Sequence, residues 1–210
     1  MLRSVAAAVV AATTVIVCST AMGSQPLPPV VNTVMHGSQE VRGPYAFYDF
    51  CRRTPRQCRP DEQPGDRVKL DAKRWAELTE VNDIVNKTIV PMNDMQHYGV
   101  EDYWEIGVRY GDCDKYALTK QLFLRERGWP MSALLMTVVR DENGDGHAIL
   151  TVRTSRGDMV LDNRQARIVA WTQTPYEYIK RQSTLDPAVW LSLTPELPLD
   201  GAVAALPAHR

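Results

Sequence analysis

Residues 131–163 read MSALLMTVVRDENGDGHAILTVRTSRGDMVLDN. Three short apolar runs, MSALLMTVVR, HAILTVR and MVLDN, are separated by DENGDG and TSRGD, which are turn sequences. That alternation predicts an antiparallel meander. The first turn also resembles the start of a calcium loop, with Asp141, Asn143, Asp145 and Gly146 where an EF-hand has D-x-[DN]-x-[DN]-G. The twelfth position, which must supply a bidentate glutamate, is Val152, and no helical pattern flanks the segment. The EF-hand reading therefore fails. What remains is a glycine-rich turn that delivers His147 to the start of a strand.

Working upstream, GDCDKYALTKQLFLRERG (111–128) predicts a helix, with Asp112 as N-cap, Ala117, Leu118 and Leu122 as an inward stripe, and Gly128 at the stop. Cys113 then lies in the first turn. Unpaired N–H groups and the helix dipole there favour a thiolate, and the same N–H groups, that of Cys113 included, can face a developing oxyanion. A cysteine nucleophile needs a base, and the base needs an orienting group. His147 and Asp162 are the candidates, one at the start of the second predicted strand and one near the end of the third. The midpoint between them lies between Thr154 and Ser155, so a turn centred there sets them side by side. A turn centred on Arg156-Gly157 offsets them by four residues. The sequence leaves both registers open, and with the second Asp158 becomes the rival carboxylate. His36, His97 and His209 sit in loop-like sequence without such context.

An earlier helix is expected over LDAKRWAELTEVNDIVNKTIV (70–90), with Leu70, Trp75, Leu78, Val81, Ile84 and Val85 at helical spacing and Asp71 as cap. A polar loop follows from Met92 to Glu101, and the chain after Trp190 reads as irregular.

The first 23 residues have one positive charge, Arg3, then a mostly apolar run of 13 from Val5 to Val17, and end in Ala21-Met22-Gly23. This is the pattern of a secretory signal peptide cleaved near Gly23/Ser24, and the run is shorter than the roughly 20 residues a spanning helix needs. A periplasmic or secreted protein is expected. Cleavage removes Cys18 and Arg3, leaving 23 basic and 25 acidic residues, a net charge of −2, and no polybasic face for nucleic acid. Of the three remaining cysteines, Cys51 and Cys58 flank a short Pro55-containing loop and are expected to form a disulfide. Cys113 is left odd. Residues 24–44 are rich in Pro, Gly and polar residues and read as a linker; 45–195 form the expected domain, with 196–210 as a tail.

The stretches YGDCDKYALTKQLFLRERGWP, GHAILTV and VLDN resemble the bacterial transglutaminase-like cysteine proteinases, which include periplasmic proteases that trim large surface adhesins. The resemblance covers roughly Asp83 to Ser183. It implies a papain-like (transglutaminase-like) α+β fold, N-terminal helices packed on an antiparallel sheet, with Cys113, His147 and Asp162 as a catalytic triad. It further implies a protein or peptide substrate such as a cell-surface protein, a membrane receptor as partner, and calcium near Asp112 and Asp114. The family usually reads G-D-C-E-D; this chain reads G-D-C-D-K, so Asp114 is one methylene shorter and Lys115 reverses a charge. No cofactor is expected to be required. The upstream tryptophan segment EDYWEIGVRY is also spaced differently.

Three functions remain in competition. The first is a peptidase, and the second a transamidase or amidase that uses the same acyl-thioester with another acceptor. The third is a catalytically silent binding domain of the same fold, against which the intact triad argues.

Overall fold

The meander forms as the turn pattern dictates. In the computed structural model, which describes residues 25–194 except positions 32, 64 and 66, the three runs become neighbouring antiparallel strands of one sheet. The signal-peptide segment and the 196–210 tail lie outside the described residues. In chain order the elements begin with β1 (Glu40–Val41), α1 (Tyr45–Arg53), α2 (Ala72–Thr88), β2 (Val90–Pro91), α3 (Asp94–Tyr98), β3 (Tyr110–Gly111) and α4 (Cys113–Glu126). They continue with β4 (Leu134–Arg140), β5 (Gly146–Thr154), β6 (Gly157–Leu161), β7 (Val169–Ala170), β8 (Glu177–Gln182) and β9 (Trp190–Ser192). Seven strands make the main sheet in the order β1-β9-β8-β4-β5-β6-β7, and β2 pairs in parallel with β3. The result is an α+β fold.

Strand alternation assigns the two faces of the sheet. Leu134, Met136, Leu150, Val152, Met159 and Leu161 face the helices, joining Leu78, Val81 and Val85 of α2 and Leu118 and Leu124 of α4 in the main core. Val139, Ile149 and Val160 face the other way, with Met35 and Tyr178.

Asp71 caps α2 as expected, its carboxylate accepting the N–H of Arg74 at 2.8 Å. Ile84 departs from the expected stripe and is 39% exposed, because Leu78, Val81, Asn82 and Val85 fill the inward face. Helix α4 is buried over nearly its whole length; Leu124 takes the deep position expected of Leu122, which is only half-buried. Its end is a glycine stop, with Gly128 at φ 77° and Trp129 N–H donating back to Leu124 O at 3.1 Å. The Met92–Glu101 loop contains the short α3, capped by Asn93.

Two expectations need correcting. The described residues of the 24–44 stretch, 25–31 and 33–44, do not run free as a linker. Val31 N–H donates to Arg156 O, Met35 N–H donates to the Asp158 carboxylate at 2.7 Å, and β1 pairs with β9. The physical reason is the second face of the sheet, whose apolar residues this strap covers with buried Met35. The approach is close enough that a Cβ on Gly157, already at φ 111°, would meet Val31 O at 2.5 Å. Likewise the chain after Trp190 is not irregular at once: Trp190–Ser192 bridges β8 and β1, and the Trp190 ring packs edge-on against Phe47.

Cys51 and Cys58 are joined, their Cα atoms 5.6 Å apart. The bridge ties the end of α1 to the one-turn 3-10 helix Pro55–Cys58. A Cys51→Ala/Cys58→Ala double variant is expected to lose about 2–3 kcal/mol in the chain-entropy account of so small a loop. Urea unfolding measures it, and thiol labelling of Cys113 in the folded variant should match wild type.

Among the described residues no helix is long and apolar enough to cross a membrane.

Candidate active site

Cys113 is the first residue of α4 and the free cysteine among the described residues. It is half-buried, and its Sγ accepts the backbone N–H of Ala148 at 3.4 Å, which brings the start of β5 against the helix. Asp112 holds the N-cap position but its side chain caps nothing; the carboxylate accepts from Lys115 Nζ at 2.9 Å instead. The helix position is not what dominates the thiol's acidity. Burial, together with the charges of Asp114 and Asp112 on either side, pushes the thiol up to about 12, against a smaller downward pull from the Ala148 N–H and Arg164. A helix terminus favours an anion only until acidic side chains supply one there first.

His147 lies at the mouth of β5, 2% exposed, with Nε2 2.9 Å from Asp162 Oδ1. The register that makes this possible is neither of the two considered from sequence. Leu150 pairs with Leu161 and Thr154 with Gly157, so the turn is centred on Ser155-Arg156. Continuing that register sets Asp162 opposite Ile149, two positions from His147. A diagonal pair on one face of the sheet is within reach of an imidazole and a carboxylate.

Three donors converge on Asp162. Besides His147, Oδ1 accepts Arg164 N–H at 2.9 Å and Oδ2 accepts the Tyr176 hydroxyl at 2.5 Å. Burial pushes its acidity toward the neutral form, but the hydrogen bonds from His147, Arg164 and Tyr176 outweigh that and hold it below the usual carboxylate range. Asp162 is thus an anion fixed in place. With Nε2–H donated to it, His147 presents the Nδ1 lone pair, and Nδ1 is buried with no hydrogen-bond partner among the described residues. The rival carboxylate, Asp158, is engaged elsewhere: it is buried against the Arg67 guanidinium and accepts from Met35 N–H. His36 and His97 are exposed, and His209 lies outside the described residues.

Several neighbours escaped the sequence. Tyr176, whose ring stands edge-on to His147 with centroids 5.6 Å apart, precedes β8 in a stretch with no motif. Arg164 pairs with Asp141 at 2.6 Å, so the DENGDG turn is tied to the residues just beyond Asp162. Between them Asp141, Glu142, Arg164, Pro175 and Tyr176 border an open cleft of about 240 Å³. Lys120, two turns along α4 from Cys113, is fully buried with no partner for Nζ among the described residues. Burial lowers it to about 7, against an upward pull from Asp162. Lys115 is equally buried, ringed by carboxylates of Asp94, Asp112 and Asp114. Charged residues inside a helix read as solvent-facing in any sequence, so only the fold reveals these two.

Residues 37–197 match the family model described as bacterial transglutaminase-like cysteine proteinase. Among solved structures, the calcium-bound form of Legionella pneumophila LapG is 22% identical, over 64% of this chain and 77% of that one, with a TM-score of 0.49. The EGTA-treated form is 21% identical, over 59% of this chain and 69% of that one, with a TM-score of 0.48. No curated protein matches.

Proposed function

Since the chain belongs to the bacterial transglutaminase-like cysteine proteinases and is thereby a cysteine-type peptidase, we propose that it hydrolyses a peptide bond in a protein substrate through a triad of Cys113, His147 and Asp162. The observation that carries this reading is the buried His147–Asp162 pair, which leaves Nδ1 unpartnered on the residue next to the one that touches the Cys113 sulfur.

His147 Nδ1 takes the Cys113 proton as Sγ attacks the scissile carbonyl carbon. Asp162, already anionic, stabilises the imidazolium that results. The oxygen of the tetrahedral intermediate gains negative charge and accepts from the backbone N–H groups at the start of α4. The C–N bond breaks, His147 returns the proton to the leaving amine, and an acyl-thioester remains on Cys113. Water, deprotonated by His147, then attacks the thioester and releases the carboxylic acid and the thiol. With burial raising the thiol, the base is needed for attack as well as for departure. Each of these steps uses a group of this chain.

The N-terminal signal pattern supports a periplasmic or secreted setting, where a cell-surface protein is the substrate in reach. A membrane receptor rests on family resemblance alone. The second reading, transamidation, follows from the same thioester if an amine replaces water. Incubation with periplasmic and surface proteins, followed by product sequencing, separates the two. A new N-terminus is expected, and an isopeptide crosslink without cleavage would replace the hydrolase reading by the transamidase one.

A further inference from the structure

Asp94, Asp112 and Asp114 bring one carboxylate oxygen each to within 4.8 Å of one another. Calcium takes six to eight oxygens at about 2.3–2.6 Å, and such a cluster would normally be a candidate for it. Here the residues do not fit the ion. Lys115 Nζ stands 2.5 Å from Asp94 Oδ1, 2.9 Å from Asp112 Oδ1 and 3.4 Å from Asp114 Oδ1, so the ammonium already occupies the place an ion would need. An ammonium donates three hydrogen bonds and accepts none, so it can only compete with a second cation.

The backbone is shaped for this lysine. A Cβ on Gly111 would come within 2.5 Å of Lys115 Cδ and 2.9 Å of its Cβ, so the glycine before the N-cap leaves the passage through which the stem folds back. The Tyr98 ring lies 5.7 Å from Nζ on another side. Burial pulls the amine down, yet Asp114, Asp94 and Asp112 more than offset it and hold Lys115 above its ordinary value. The contacts join two parts of the chain. Asp94 opens α3 and its other oxygen accepts Tyr103 N–H at 2.6 Å, while Asp112 and Asp114 flank Cys113.

We propose that Lys115 is the resident cation of this acidic pocket: it tethers the Asp94 loop to the Cys113 turn as a divalent ion would, makes that turn independent of calcium, and leaves a divalent-cation site when removed. A lysine is covalently present at unit occupancy, so the turn is fixed whatever the calcium concentration outside the cytoplasm.

The test reads stability and binding rather than turnover, so it stands or falls apart from the peptidase reading. Wild type, Lys115→Met and Lys115→Gln are melted in EGTA and in millimolar calcium chloride, and each is titrated with calcium chloride by calorimetry. Wild type is expected to melt at one temperature in both and to give no binding heat. The variants are expected to melt lower in EGTA and to recover by about 5–10 °C with calcium, the linkage expected of a ligand well above its Kd. A folded variant that takes up no calcium overturns the proposal. If neither variant folds in either condition, wild type decides alone: EGTA sensitivity or a calcium heat overturns the idea, and indifference to both supports it.

Discussion

Asp162→Asn is expected to lower turnover by about 10⁴-fold with the fold intact, the scale set by triad aspartates in serine proteases. Cys113→Ala should abolish turnover, and His147→Ala should come close. A cysteine enzyme with a preformed thiolate would be partly spared the loss of its orienting carboxylate. This one should not be spared, because burial first, and the charges of Asp114 and Asp112 after it, raise the Cys113 thiol to about 12. Its reaction therefore depends on a base in the right tautomer. Asparagine keeps the shape of Asp162 but gives up the charge that stabilises the imidazolium, and its amide can turn a donor toward Nε2, which flips the histidine proton to Nδ1 and blocks the thiol. Single-turnover labelling of Cys113 by an electrophile, followed across pH, separates this from a structural effect. In wild type the rate should exceed that of a neutral thiol near pH 7, whereas in Asp162→Asn it should follow simple thiol ionisation and climb with pH. Asp158→Asn is the control, since Asp158 serves the Arg67 and Met35 contacts: it should cost stability and leave the labelling profile unchanged. If Asp162→Asn labels like wild type, the assigned role of Asp162 is wrong.

How far the site was legible from sequence depended on the kind of signal. The meander and helices α2 and α4 were readable because turn residues and apolar periodicity are local properties. Cys113, His147 and Asp162 could be singled out because each sits at a junction those local patterns define. Their register could not, since moving a hairpin turn by one residue shifts the cross-strand pairing by two, and TSRGD accommodates several centres. The Ser155-Arg156 turn fell between the two readings. The strap formed by the described part of the 24–44 stretch was not legible, because extended, proline-rich chain has no period. Its role depends on the apolar back of the sheet, where Val139, Ile149 and Val160 lie more than ninety residues later in the chain. Tyr176 and the Arg164–Asp141 pair were invisible for a related reason, since they join distant parts of the chain, and no local signal marks the burial of Lys115 and Lys120.

Lys120→Met is expected to stabilise the protein at pH 7 by on the order of 3 kcal/mol, an unusual sign for a change in a buried helix. Burial lowers the amine to about 7, and Nζ finds no partner among the described residues. The unfolded chain keeps this proton up to its ordinary 10.5, whereas the folded chain gives it up above about 7. Between those values the unfolded state binds more protons, so wild-type stability rises with pH across that window and the full penalty is borne below it. Methionine has a similar length and no charge to desolvate, so it should remove both the penalty and the slope. Urea midpoints at pH 7 and pH 10 measure this: the gain should be large at the first and small at the second. A variant less stable than wild type at both would mean that the ammonium is solvated or paired after all. A buried, partnerless amine that feels the field of Asp162 is the kind of local cost folded proteins carry near working sites rather than in inert cores. If the stabilised variant also turns over more slowly, with its acid limb moved, then Lys120 acts on the reaction through Asp162, and its cost to the fold has a functional counterpart.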